Sequence, residues 1–213
     1  MIKKSKFIVI EGLEGAGKTN ASICIQQTLK ECNIKNVILV RQPGSTPIAE
    51  KIRQLIKNNF YIEDFVKETE LLLMYAARIQ LVKKIIQPAL KKGIWVISDR
   101  HDLSSLAYQG GGLGIKKKLI NQLKHLFLKD FIPDLTIYLD VCPEIGLKRA
   151  LKRSKLDRIE HRSLNFFKKT RESYLKNIKL DKKTIKINAN LDIHIVTQNI
   201  KSQVLKWLEK KIV

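Results

Sequence analysis

Eight residues, Gly12 to Thr19 (GLEGAGKT), follow the pattern G-x-x-x-x-G-K-[ST] and stand directly after an apolar run that ends at Ile10. Residues of these types at this spacing hold a polyphosphate. Gly12, Gly15 and Gly17 permit tight turns. The successive backbone N–H groups of Leu13, Glu14, Gly15, Ala16 and their neighbours can then face an anion that the next helix N-terminus also attracts. Lys18 would reach the β- and γ-phosphates and Thr19 would bind Mg²⁺. A Gly-rich turn without a nucleotide is the alternative. Phe7 to Ile10 reads as a strand and Ala21 to Leu29 as a helix, which is the strand, loop, helix setting the motif requires.

Further polar groups follow other apolar runs. Asp99-Arg100-His101 comes after IWVIS, and an Asp at the tip of a buried strand beside the phosphate loop suits the Mg²⁺ shell or its waters. Alone, such an Asp is as consistent with a helix cap. Arg41-Gln42-Pro43-Gly44 ends another run and turns into a helix beginning near Thr46 or Pro47. Arg41 and Arg100 would face one another across the cleft, two guanidinium forks suited to a second phosphate in line with the one transferred. Two surface arginines with ordinary carboxylate partners are the plainer possibility. Arg149 to Arg162 (RALKRSKLDRIEHR) is half basic counting His161, and Ser154 and Asp157 break its helical pattern. It reads as a lid over about 149–162 or as a solvated charged helix. Gly110-Gly111-Gly112-Leu113-Gly114 lacks a preceding strand, and either lets the backbone approach a ligand or makes a flexible turn.

The elements that must position these groups are legible as five apolar, β-branched runs: 7–10, 37–40, 94–97, 135–139 and 184–187. Each alternates with helical periodicity, which predicts an α/β fold, a doubly wound parallel sheet with helices on both faces. Ligands of such sheets lie outside the C-terminal strand ends. Glu11, Arg41, Asp99, Asp140 and Asn188 fall there. A long helix is predicted over Asp64 to Leu90, with a stripe of Leu71, Leu72, Tyr75, Ile79, Val82 and Ile86 that Pro88 disturbs. Arg78 lies inside that stripe, where an uncompensated charge is costly and a partner is required.

At 213 residues and 44% apolar content the chain is expected to be one domain, 1–213. No stretch approaches the ~20 apolar residues of a membrane span. The start runs straight into the first strand rather than into a cleavable signal, so a cytoplasmic location with no membrane partner is expected. Cys24, Cys32 and Cys142 are odd in number and widely spaced, which favours free thiols. The formal charge of +21 raises the question of nucleic acid. Of the 41 basic residues 32 are Lys and only nine Arg, spread over the chain, and aromatics are 7%. Nucleic-acid readers add Arg forks or aromatic platforms, so a solvated Lys-rich surface is the expectation and no specific nucleic-acid partner.

Four segments together, IEGLEGAGKT, RQPGST, DRHDLSSLAYQGGG, and PDLTIYLDV with GLKRA and LDRIE, resemble the bacterial thymidylate kinases among the nucleoside monophosphate kinases, over essentially the whole chain. The resemblance implies ATP- and Mg²⁺-dependent phosphorylation of dTMP to dTDP, a five-stranded parallel core, a lid and commonly a homodimer. It implies that Arg41 and Arg100 hold the dTMP phosphate, that Arg78 hydrogen-bonds the thymine edge with Ser105 and Gln109 nearby, and that Tyr108 packs beside the sugar. Glu14 would reach toward the acceptor sugar or organise the adjacent Arg. Lys18, Arg100 and Arg153 would be the catalytic groups, with Arg149 near ATP and Asp99 with Thr19 at the metal. The loop has no Arg of its own, which resembles the subgroup whose lid supplies it.

Four positions depart from the family pattern. Gln42 and Ser45 replace Glu and Gly of R-E-P-G-G-T, Met74 stands where a Phe commonly stacks on thymine, and Leu151 occupies a lid position where relatives can carry Arg. Fold-level analogy leaves a different monophosphate kinase, or a P-loop protein that binds nucleotide and nucleic acid without turnover, as alternatives.

Overall fold

A computed structural model describes residues 5–58, 63, 65–153, 156–179 and 181–212. Its five strands are β1 (Phe7–Gly12), β2 (Val37–Arg41), β3 (Trp95–Asp99), β4 (Leu135–Asp140) and β5 (Thr184–Asn188). They form one all-parallel sheet in the order β2-β3-β1-β4-β5. The chain steps outward from β1 to one edge and then to the other. The turn after β1 therefore opens at the point where the winding reverses, which is where a ligand crevice forms.

Alternation along each strand divides the interior in two. Ile8 and Ile10 point into a core shared with α1 (Lys18–Glu31), α8 (Leu164–Ile178) and α9 (Ile193–Ile212). Phe7 and Val9 point into the other, shared with α3 (Lys67–Leu81), α4 (Gln87–Lys91) and α6 (Lys117–Leu128). Successive side chains of a strand face opposite sides of the sheet, so a strand covered on both faces must be apolar throughout. Full burial of such a side chain stabilises by about 1.5–3 kcal/mol.

The long helix predicted over Asp64 to Leu90 is corrected at both ends and in the middle. It begins at Lys67, with Asp64 outside the described residues, and a π-helical turn, Val82–Ile86, joins α3 to α4. Pro88 lacks an N–H, and its ring would clash with the carbonyl four residues back. The widened turn, in which Gln87 N–H donates to Val82 O, lets the chain run on to Lys91. α2 (Pro47–Lys57) starts as the sequence predicts: Thr46 Oγ1 accepts from Ala49 N at 3.1 Å and Pro47 takes the first turn.

The Gly110–Gly114 stretch is neither a ligand approach nor a flexible turn. Gly110 to Gly112 continue a π-helical segment, Leu106–Gly112, that lies against α8. A Cβ on Gly111 would meet Ser173 and come within 2.9 Å of Lys169 O. A Cβ on Gly112 would meet the Phe166 ring and lie 2.7 Å from Thr170 Oγ1. The glycines exist to let this segment, which carries Tyr108 and Gln109, sit close to α8.

Candidate functional site

The strand ends are tied together by Glu11, the fully buried penultimate residue of β1. Its carboxylate accepts from His101 N (2.8 Å), Ser104 Oγ (2.6 Å) and Tyr174 Oη (2.8 Å), with Ser104 N at 3.3 Å. Burial raises its pKa although Arg100 and these donors oppose the rise. Arg100 itself has φ 71, a left-handed conformation rare for a residue with a Cβ. It is held there by its own N–H to Ile10 O (2.8 Å) and by Ser98 Oγ donating to its carbonyl (2.7 Å). The strain is of order 1 kcal/mol and aims the side chain into the cleft.

Two cavities meet at the phosphate loop, and Gly15, Lys18, Thr19 and Asp99 line both. Gly12 and Leu13 line neither. Their carbonyls hold the Lys18 Nζ at 3.2 and 2.8 Å. Burial and the Arg100 charge push the Lys18 pKa down to about 8, although Asp99 and Glu14 pull the other way. An anion bound in the loop would raise it again. Ala16 and Gly17 face the second cavity, and Gly17 (φ 90) starts α1 three residues ahead of the apolar pattern. Gly15 touches Gly146 of α7 (Pro143–Arg153) backbone to backbone, with no space for a Cβ on either.

Asp99 Oδ1 is buried without a hydrogen bond among the described residues. Asp99 and Thr19 share both cavity walls, an oxygen pair that suits a hard cation. Among the described residues no group of three or more His, Cys, Asp or Glu could hold a metal, so waters and phosphate oxygens would have to complete the shell. On the second cavity Arg149 donates to Ala189 O at 2.7 Å, with Asn190 O and Leu191 O at 3.4 Å. Arg153 is the last residue of α7, and its side chain lies outside the described residues. Residues 149–153 of the segment read as a lid are thus the end of a helix.

The first cavity collects the remaining candidates. Arg100 Nη2 donates to Glu14 Oε1 at 2.7 Å and to Tyr108 Oη at 3.1 Å, and Tyr108 Oη donates to Glu14 Oε2 at 2.5 Å. Burial would raise the Glu14 pKa, but Arg100 and Lys18 hold it below the usual carboxylate range. Arg41 is half-exposed and its Nη2 lies 3.1 Å from both oxygens of Glu50. Arg53 and Lys57, which the sequence reading did not single out, line the same cavity, and burial and Arg41 depress the Arg53 pKa. Met74, Ser105 and Gln109 complete the set.

Arg78 has the partners its place in an apolar stripe demanded. Its Nε donates to Gln42 Oε1 (3.0 Å), and its Nη2 to His101 O (3.0 Å) and Ser105 Oγ (2.9 Å). Nη1 has no hydrogen bond among the described residues and stands 3.9 Å from Asp102 Oδ1. Gln42 Nε2 faces His101 Nδ1 at 3.0 Å. The amide must donate there, so His101 Nδ1 accepts and the proton sits on Nε2. Burial and Arg78 depress the His101 pKa to about 3. Gln42 therefore fits a neutral histidine, and position 42 acts by gripping Arg78 rather than by charge. Ser45, in the family's glycine position, adopts φ 65, and its Oγ accepts from Arg41 N at 2.8 Å.

From Leu156 the described chain forms a strap. Asp157 pairs with Lys57 and accepts from Ile159 N and Glu160 N, and Ile159 and Glu160 line the first cavity. Arg158 and Arg162 do not turn toward the loop. Each Nη2 lies 2.5 Å from Oε2 of Glu70, a buried acid on α3 that the sequence reading passed over.

A family model described as thymidylate kinase matches residues 10–200. A protein named thymidylate kinase from Buchnera aphidicola subsp. Schizaphis graminum is 86% identical over 210 residues, covering 99% of each chain. Another of that name from Vibrio parahaemolyticus serotype O3:K6 is 48% identical over 208 residues, covering 98% of this chain and 99% of its own. A crystal structure of thymidylate kinase from Ehrlichia chaffeensis aligns with a TM-score of 0.76 at 30% identity, covering 96% of this chain and 98% of its own.

The buried, neutral His101 sets a pH dependence. Folded, His101 stays neutral down to about pH 3, whereas the unfolded chain takes up its proton near 6.5. This group therefore stabilises the fold above pH ~6.5 and withdraws about 1.4 kcal/mol per pH unit below it. Gln42→Glu places a carboxylate against Nδ1, raises the folded-state pKa and should shrink that slope. Urea unfolding of both proteins between about pH 5 and 6.5 measures it, and equal slopes would show that a charge at position 42 leaves the His101 titration unmoved.

Proposed function

Since the chain belongs to the thymidylate kinase family and phosphorylates dTMP to dTDP, we propose that it takes the phosphoryl group from ATP, with Mg²⁺, by direct in-line transfer across the loop shared by the two cavities. The observation that carries this reading is that shared wall. Gly15, Lys18, Thr19 and Asp99 border both cavities, so a donor in one and an acceptor in the other would meet at the same few side chains. With so little covalent work to do, the protein contributes positioning and electrostatics.

ATP would lie in the second cavity, its phosphates on the loop amides and Lys18, which would exchange the Gly12 and Leu13 carbonyls for phosphate oxygens. Arg149 would border it, and Arg153 is our candidate for neutralising charge on the transferring group. Thr19 and Asp99 would hold Mg²⁺, which when bound neutralises phosphate oxygens. The dTMP phosphate would lie between Arg41 and Arg100. Arg100 is already oriented by Glu14 and Tyr108 and stays protonated, because Tyr108 and Glu14 outweigh the burial that works against its charge. Arg78, Ser105 and Gln109 would read the base, Met74 would cover its ring with a soft side chain in place of an aromatic, and Tyr108 would crowd a 2′-hydroxyl. No general base is required, since the acceptor phosphate is already largely ionised near neutral pH.

We place the protein in the cytoplasm as a homodimer with no nucleic-acid or membrane partner. Exposed apolar residues on two packed helices, Leu72 on α3 and Leu119, Leu126 and Phe127 on α6, support association. Among the described residues no helix is long and apolar enough to cross a membrane.

A coupled ADP-release assay with ATP and Mg²⁺ against dTMP, dUMP, UMP, dCMP and thymidine should show dTMP preferred, and another preferred acceptor would sink the substrate reading. Lys18→Met should abolish turnover in a folded protein, so a rate within about tenfold of the parent would remove Lys18 from its role. Sedimentation equilibrium should return twice the 24.6 kDa chain mass, and a single-chain mass at micromolar concentration would reject the dimer.

A further inference from the structure

Glu70 is fully buried on α3, beside the first cavity rather than in its wall, and its two oxygens do different things. Oε2 receives Arg158 and Arg162 from the strap, at 2.5 Å each. Oε1 accepts from Gln109 Nε2 at 2.9 Å. A carboxylate between two guanidinium groups is acceptor-only, so it dictates which end of the Gln109 amide faces it. The NH₂ must turn to Glu70. That leaves Gln109 Oε1 with no hydrogen bond among the described residues, on a side chain 2% exposed that lines the first cavity. The reverse orientation would set a carbonyl against a carboxylate and leave a buried NH₂ unpaired.

We propose that Glu70 is a specificity-determining positioning residue: by locking the Gln109 amide it gives the acceptor pocket a fixed hydrogen-bond acceptor, so that the pocket selects a base carrying an imide N–H. This rests on reading the first cavity as the dTMP site. Thymine and uracil offer N3–H to such an acceptor, and their O4 suits a donor such as Arg78, which lines the same cavity. Cytosine presents the opposite pattern, a bare N3 and an amino group. Against a locked carbonyl, its N3 meets a lone pair and both acceptors stay unsatisfied, a penalty water does not relieve in a closed site.

The same carboxylate anchors the strap that brings Ile159 and Glu160 to the cavity. Strap and base reader are thus seated on one group. Glu70 touches no reacting atom in this scheme, and it acts through Gln109 and the two arginines.

The test is the ratio of dTMP to dCMP dissociation constants, measured by calorimetry without turnover, together with kcat and KM for each. Glu70→Gln presents either a carbonyl or an amide to Gln109 and frees it to flip. The preference for dTMP over dCMP should fall by roughly tenfold or more, the value of one lost hydrogen-bond match. The effect should appear in KM for dTMP more than in kcat. Arg162→Gln, which leaves the Glu70–Gln109 contact in place, should lower turnover but keep the preference. If Glu70→Gln does not fold, Glu70→Asp, which withdraws the carboxylate from Gln109 while keeping its charge, should shift the ratio the same way. An unchanged ratio in the folded Glu70 variant overturns the proposal and leaves the dTMP reading standing. A parent protein that does not prefer dTMP removes that reading and this inference with it.

Discussion

A single buried carboxylate holds the working end of this sheet in shape. Glu11 is the residue before the phosphate loop, and it accepts hydrogen bonds from the segment after β3 and from Tyr174 on α8. A carboxylate this deep is tolerable only when its lone pairs are occupied, and here each oxygen accepts two hydrogen bonds. The consequence is geometric. Because Glu11 fixes the His101 and Ser104 backbones, Arg100 between β3 and α5 (Asp102–Ser105) is held in its left-handed conformation with its guanidinium over Tyr108. Together with the Arg100 N–Ile10 O and Ser98 Oγ–Arg100 O hydrogen bonds, this contact sets where the arginine stands beside the loop.

Around that anchor the cleft is strongly cationic, and its charges are graded by their partners. Arg100 is locked by Glu14 and Tyr108, while Arg41 is held by the more exposed Glu50. Lys18, which donates to the Gly12 and Leu13 carbonyls, has a pKa that burial lowers to about 8. Preorganisation here means that the arginines are oriented beforehand, whereas the lysine keeps its strongest interaction in reserve. The chain's large positive charge has little to do with this, since most of it is lysine scattered along the sequence and the cleft uses a few specific side chains.

The strands, the loop and the α2 start could be read directly, because each depends on residues adjacent in sequence: a buried apolar run, three glycines, Thr46 before Pro47. Pairings between distant residues could not. Nothing near Glu70 marks it as the seat of Arg158 and Arg162, more than eighty positions later. The apolar stripe showed that Arg78 needed a partner, but not that Gln42 would be one. Pro88 was read as a disturbance, and its relief by a π-helical turn upstream depends on how α3 packs. The Gly110–Gly112 run was misread for the same reason: its close neighbour is α8, some sixty residues on, and no local pattern carries that. Of the proposed catalytic set, Arg153 was chosen from the lid pattern, and its side chain lies beyond the described residues.

The backbone contact between Gly15 and Gly146 has a mechanical meaning. With no side chain on either, the phosphate loop and the first turn of α7 abut main chain to main chain, like two flat faces without a washer. α7 cannot roll or slide against the loop without opening a gap there. From Gly146 to Arg153 is seven residues of helix, about 10 Å at 1.5 Å per residue. Position 153, at the far end of that helix, therefore stands at a distance from the loop that the helix length sets.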